Sequence, residues 1–395
     1  MKAVDNQALK DVVITTSGPD KPGVSAAFFR VLAAVGVELV DVEQAIFSGR
    51  ITLAAYGRLD PALVEKAEAG LRNTLSIYQH TVTVEVGTDR SPRPRSSHVV
   101  VIMGATVTAE QMAALAQELA NFDANIDRIR GLSRQPLTGL ELSVTVAGDA
   151  AGLRARLAEL AGRLGVDLAI EEAGLHRRAK RLVCFDCDST LITGEVIEML
   201  AARAGREAEV AAVTERAMRG ELDFAESLRE RVKALGGLDE SVLAEVAADI
   251  ELTPGARTTV ATLKRLGFKV AVVSGGFLEV LQPLARELNL DYVRANTLAI
   301  SDGKLTGEVT GKIVDRAAKA EYLREFAADC GVPMSQTVAV GDGANDIDML
   351  SAAGLGIAFN AKPALKEVAD AQVNHPYLDE VLQLLGIPSA EIEKD

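Results

Sequence analysis

Two aspartates one residue apart, Asp186 and Asp188, end the apolar run of "RLVCFDCDSTLITGE" at residues 181–195. A strand that delivers two carboxylates at its tip offers oxygen ligands for a hard cation, or a nucleophile beside a proton donor. The same stretch carries Cys184 and Cys187 at C-x-x-C spacing, which raises a competing redox or zinc reading. Geometry disfavours it. Residues three apart on a strand point to opposite faces, and Cys184 lies within the strand rather than before a helix. Cys330 adds no usable spacing, so two packed small side chains account for the pair.

A single Asp after a strand is ordinarily a turn or a helix cap. Here, however, Asp342 opens "DGAND" directly after "TVAVG", and Ser274-Gly275-Gly276 follows "KVAVV". In open parallel sheets, ligands bind beyond the carboxyl ends of the strands. Three strand ends therefore offer carboxylates, a hydroxyl and small turns on one edge. An all-oxygen donor set suits Mg²⁺. No histidine site can be assembled, because His80, His98, His176 and His375 are scattered along the chain.

The elements that must position these groups are short, apolar and β-branched: "RLVCF", "KVAVV", "TVAVG" and "LGIAF", separated by helical patterns. That alternation predicts a parallel sheet with helices on both faces. A helical insertion at about 194–250 is too long for a crossover and reads as a cap. "ANTLAISDGKLTGEVTG" alternates about Asp302-Gly303, a hairpin signal. Upstream, residues 11–59 and 98–148 resemble each other as strand, amphipathic helix, strand, strand, and a further helix and strand follow each. Two tandem βαββαβ units are the simplest account. The Pro-, Ser- and Arg-rich "DRSPRPRSSH" at 89–98 reads as a linker.

A length of 395 residues implies two or three domains. The net charge of −14 argues against a nucleic-acid or anionic-membrane partner. It also means that an anionic substrate needs local positive charge. No apolar run approaches the ~20 residues that span a bilayer, and "MKAVDNQALKDVV" lacks a signal-peptide core. With only three cysteines, no disulfide framework is expected. The expectation is a cytoplasmic protein.

"DCDST" resembles the D-x-D-x-T motif of the haloacid dehalogenase superfamily. Ser274 in "VSGG", Lys319 in "AAKAE" and "GDGAND" at 341–346 resemble its other three motifs in order, across roughly residues 180–395. "RAMRGELDFAESLRERV" at 216–232 and "TVAVGDGANDIDMLSAAGLGIAFNAKP" are similar to L-phosphoserine phosphatases. "SGPDKPGV" at 17–24 looks like an ACT domain, an amino-acid-sensing module, whereas the second repeat reads "MGATVTAE" there. The implied fold is an α/β haloacid dehalogenase-like Rossmannoid sheet with a helical cap, preceded by two ferredoxin-like ACT domains. The expected boundaries are 1–90, 97–175 and 178–395.

The resemblance implies Mg²⁺-dependent hydrolysis of O-phospho-L-serine, the last step of serine biosynthesis. Asp186 would be the nucleophile, forming an aspartyl-phosphate, and Asp188 the general acid and base. Mg²⁺ would be held by Asp186, the backbone carbonyl of Asp188 and Asp342, with Thr190 behind them and Asp346 either behind them or a direct ligand. Lys319, Ser274, the Gly275 amide and Asn345 would contact phosphate or substrate. Glu195 would take the substrate ammonium. On the cap, Phe224, Leu228 and Leu235 form an apolar stripe in which Arg231 fills the missing place. A cation on that face needs a partner, and a substrate carboxylate serves, as would an internal salt bridge to a nearby glutamate. Met218 and Phe224 are candidates to close the pocket. Gly18 and Asp20 are candidates for an effector loop that binds serine or another amino acid, in a homodimer. A related phosphatase or phosphotransferase acting on another small phosphomonoester is the alternative activity. An amino-acid sensor with a vestigial phosphatase fold is the non-enzymatic one, against which every catalytic position holds a competent residue.

Overall fold

The computed structural model describes residues 9–87, 96–133, 137–174, 177, 179–218 and 221–392. Most of the linker at 89–98, His176 and the side chain of Met218 lie outside the described residues. The chain divides into two compact units, Met1–Pro94 and Arg95–Asp395.

The first unit runs β1 (Lys10–Pro19), α1 (Val24–Val35), β2 (Glu38–Phe47), β3 (Arg50–Leu59), α2 (Val64–Ser76) and β4 (Thr81–Val86). Its sheet has the order β2-β3-β1-β4 and is antiparallel throughout. Alternation along β1 turns Val12 and Ile14 toward Phe28 and Leu32 of α1 and Leu71 of α2. The edge strand β2 is exposed along its whole length, and Phe47 is 78% exposed.

The second unit opens with the other repeat: β5 (His98–Gly104), α3 (Ala109–Asn121), β6 (Ala124–Ser133), β7 (Thr138–Val146), α4 (Ala150–Leu164) and β8 (Asp167–Glu172), in the order β6-β7-β5-β8. Here β5 is apolar on both faces. Val100 and Ile102 pack with the repeat's own helices, whereas Val99, Val101 and Met103 join the core that holds Val373 and Val381 of the C-terminal sheet domain. Polar ties accompany this packing: Arg177 donates to Glu141 at 2.9 Å and to the carbonyl of Leu384, and Ser133 donates to Gln383 at 2.7 Å.

The C-terminal domain is a seven-stranded sheet of order β12-β11-β10-β9-β13-β14-β15. Its strands are β9 (Leu182–Phe185), β10 (Lys269–Phe277), β11 (Tyr292–Ser301), β12 (Lys304–Thr310), β13 (Thr337–Gly341), β14 (Gly356–Phe359) and β15 (Ala371–Val373). All pairings are parallel except β11–β12, the expected hairpin. Asp302 and Gly303 both take positive φ there, 51° and 74°, as a tight hairpin turn demands. The central strands are buried on both faces, as parallel strands under helices are. Four helices form the cap: α5 (Val196–Ala204), α6 (Glu207–Met218), α7 (Phe224–Lys233) and α8 (Ser241–Ala248). Asp223 and Glu226 start α7 with a reciprocal capping box. Cys184 and Cys187 belong to different apolar clusters, and burial pushes both thiols up. Neither is poised for redox chemistry.

One charge sits badly in this core. Glu380 is 2% exposed, and neither carboxyl oxygen has a partner among the described residues. Burial first, then Asp167 and Asp379, push its pKa up from 4.5 to about 8. The folded chain therefore keeps a proton that the unfolded chain loses, so this residue's contribution to stability declines as pH rises from about 4.5 to about 8. Glu380→Gln is expected to raise the melting temperature at pH 8 while changing it little at pH 5; equal shifts at both values would contradict this.

Candidate active site

The site is built on register. Phe185 of β9 pairs with Val272 of β10 and Val340 of β13, so the residues that follow all three emerge at one sheet edge. The backbone N–H of Asp186 donates to Val340 O at 2.8 Å, which anchors the tip. A tight turn over Cys187–Leu191, with Ser189 at φ 57°, brings the next carboxylate beside the first. Gly341 is required here: a Cβ would lie 2.5 Å from the Asp346 carboxyl carbon.

Asp186 is 2% exposed. Its Oδ1 accepts from the Cys187 N–H and lies 2.7 Å from Lys319 Nζ; its Oδ2 accepts a 3.3 Å bond from Asn345 Nδ2. Lys319, from α9 (Arg316–Asp329), is buried and also donates to Asp346 Oδ1 at 2.7 Å. Burial alone would lower its pKa, but the two carboxylates outweigh it and hold the ammonium above the ordinary lysine range. Asp346 is fully buried, and its other oxygen accepts from the Gly343 N–H.

Asp188 has a different environment. Its Oδ1 accepts from the Val196 N–H at the start of α5, and its Oδ2 from the Ser274 hydroxyl at 3.3 Å. Burial, then Glu195 and Asp186, raise its pKa to about 7, outweighing the helix N–H. Two neighbouring carboxyls thus differ in role, one set 2.7 Å from a buried lysine and one able to carry a proton near neutrality. Ser274 Oγ in turn accepts from the Gly276 N–H, and Asn296 donates to Gly275 O at 2.8 Å, which fixes the small turn.

A cavity of about 410 Å³ opens over these groups. Asp186, Asp188, Asp342 and Asn345 line it from the sheet, and Phe224, Leu228 and Arg231 from the cap. Glu195 faces it as well. Rather than capping α5, its carboxylate accepts from Ser189 Oγ at 2.8 Å, and burial raises its pKa. Arg231 Nε reaches the Ser227 carbonyl at 3.4 Å. Among the described residues no carboxylate forms an ion pair with its guanidinium, so the internal salt bridge is absent. Burial lowers its pKa, against Glu195 and Asp188.

Oxygens of Asp186, Asp342 and Asp346 all lie within 4.8 Å of one another. Burial and then Asp186 push Asp342 up to about 6. This donor set is all oxygen, and its negative charge exceeds what Lys319 neutralises, which fits a hard divalent cation. Asp346 and Asp186 each engage both oxygens, the Asp186 Oδ2 bond being the longest of these at 3.3 Å. Thr190 Oγ1, fully buried just behind, has no partner among the described residues.

Sequence reasoning did not single out Lys362. It lines the cavity, follows β14 at the same sheet edge, and its N–H donates to Asp342 O at 2.9 Å. The strand-end rule that found Asp342 would have found it too. In the first unit, the space expected for ligand approach at Gly18 is filled: a Cβ there would lie 2.2 Å from the His80 ring, so packing explains this glycine. Asp20 is exposed, and its N–H donates to Gly49 O.

Residues 10–87 and 96–171 each match an ACT domain, and residues 180–354 match the haloacid dehalogenase-like hydrolases. Phosphoserine phosphatase SerB2 of Mycobacterium tuberculosis is 55% identical over 389 residues, 97% of this chain and 94% of that protein. A phosphoserine phosphatase of Streptomyces coelicolor is 50% identical across 100% of this chain and 96% of its own length. Among solved structures, an unliganded probable phosphoserine phosphatase from Vibrio cholerae superposes with a TM-score of 0.58 at 35% identity, covering 75% of this chain and 88% of that one. The chain belongs to the phosphoserine phosphatase family of haloacid dehalogenase-like hydrolases, with two ACT domains ahead of the catalytic domain.

Proposed function

We propose that the chain hydrolyses O-phospho-L-serine to L-serine and phosphate through an aspartyl-phosphate on Asp186. The observation that carries this reading is the cavity itself: two role-separated carboxyls on its floor and, on its cap wall, an arginine that has no carboxylate partner among the described residues.

Asp186 Oδ2, the oxygen not committed to Lys319, attacks phosphorus while the bond from phosphorus to the serine oxygen breaks. Asp188 gives its proton to the departing oxygen, then takes one from the water that attacks the aspartyl-phosphate, which releases phosphate and restores Asp186. Lys319, the Ser274–Gly275 turn and Asn345 hold phosphate oxygens. Arg231 binds the substrate carboxylate and Glu195 its ammonium. Asp186, Asp342 and the Asp188 carbonyl would hold Mg²⁺, which when bound neutralises the repulsion between carboxylates and phosphate. Phe224 covers the apolar side of the pocket.

Regulation by an amino acid such as serine, in a homodimer, belongs to the same reading. The ACT matches support it, as does the first unit's exposed edge strand, where Val40, Ile46 and Phe47 are more than half exposed. Asp20 stays a candidate effector contact; Gly18 has its packing explanation.

Phosphate release from a panel of phosphorylated small molecules, with and without Mg²⁺ and free amino acids, tests the proposal. Phosphoserine is expected to lead the panel, and a chelator to abolish turnover. Even turnover of all members would favour the broader phosphomonoesterase, and full activity in chelator would remove the metal from the account.

A further inference from the structure

The second ACT domain reaches toward the catalytic edge through a buried carboxylate. Asp167, at the start of β8, is 2% exposed. Its Oδ2 accepts from the backbone N–H of Asn374 at 3.0 Å, and its Oδ1 from Asn374 Nδ2 at 2.5 Å. Asn374 directly follows β15. From it, two routes converge on one short segment. The carbonyl of Val373 accepts from the Asn360 N–H at 2.8 Å, at a residue with φ 43° that turns the chain out of β14. The Asn374 side-chain oxygen accepts from Lys366 Nζ, at the end of α10 (Pro363–Lys366). Between these two anchors lies Lys362, whose N–H holds the Asp342 carbonyl at 2.9 Å and which lines the cavity.

We propose that Asp167 is a positioning residue for the phosphatase reaction: by clamping Asn374 it fixes segment 360–366 and, through it, Asp342. A buried carboxylate that accepts two N–H bonds from one residue defines that residue's position more tightly than apolar packing does. The second repeat would then serve the catalytic domain as a bracket. This fits the absence of the Asp-x-Pro-Gly turn in "MGATVTAE" and the use of its outer face for packing. The inference rests on the phosphatase reading of the site.

The test uses the full chain with Asp167→Asn, Asn374→Asp and the double exchange that combines them. In Asp167→Asn, the new amide faces the Asn374 amide donor to donor. In the double exchange, carboxylate and amide trade places across the contact. The pairing is regained at unchanged total charge, with the amide now on the ACT side. Two readouts are taken: amide hydrogen exchange of the peptide spanning 360–366, and the Mg²⁺ concentration giving half-maximal phosphoserine turnover. Asp167→Asn should accelerate exchange in that peptide and raise the Mg²⁺ requirement by roughly ten-fold, the range for residues that support metal ligands. The double exchange should restore both. Should Asp167→Asn prove insoluble, Asn374→Ala, at an exposed position, must give the same two changes. Unaltered exchange at 360–366, or a double exchange no better than the single variant, overturns the proposal. The exchange readout needs neither turnover nor metal, so it judges the clamp even if phosphoserine proves not to be the substrate.

Discussion

Asp186→Asn is expected to stop phosphate release from phosphoserine, with a fall in turnover of about 10⁴-fold or more, as for other covalent nucleophiles. The amide keeps the shape of the carboxyl but is no nucleophile toward phosphorus. The fold should survive the change. Lys319 retains Asp346 as a partner at 2.7 Å, and the change removes a neighbour that, after burial, contributes to raising Asp188, Asp342 and Asp346. The measurement is steady-state phosphate release beside a thermal melt. A variant that melts like the parent and still turns over would exclude Asp186 as the nucleophile.

Arg231→Ala is expected to separate binding from chemistry. Removing one partner of a desolvated charge pair costs about 2–5 kcal/mol, or roughly 30- to 4,000-fold in kcat/KM for phosphoserine. A generic aryl phosphate has no carboxylate to offer and should be cleaved with little change, because Arg231 lies on the cap and the reacting carboxyls lie on the sheet edge. Arg231→Lys should restore only part of the loss, since an ammonium cannot grip a carboxylate with two parallel bonds. Equal losses on both substrates would make Arg231 a structural residue of the cap.

Much of this site is legible in the sequence because strand ends are legible. Short β-branched runs announce a parallel sheet, and whatever follows them must share an edge, so Asp186, Ser274 and Asp342 fall together from sequence alone. The opposite-face argument likewise places Cys184 and Cys187 in separate clusters. Tertiary pairing is harder to read. The partner of a buried cation is not a local property, so only the structure removes the internal salt bridge at Arg231. Gly18 can be read either as ligand approach or as packing until His80, far off in sequence, stands against it. The three-residue strand β15 is too short for a periodicity, yet it ties the second ACT domain to the catalytic sheet. One signal does separate the two repeats: "HVVVIM" is apolar without alternation, which marks a strand covered on both faces, whereas "DVVITTS" alternates.

The central claim is a covalent phosphoryl group on one carboxylate, and the most direct measurement is to find it. Rapid acid quench during turnover of phosphoserine, followed by peptide mass mapping, should place a hydroxylamine-labile phosphoryl group on Asp186, and the same quench of Asp186→Asn should yield none. A phosphorylated peptide at any other side chain, or turnover that leaves every peptide unmodified at all quench times, would contradict the account.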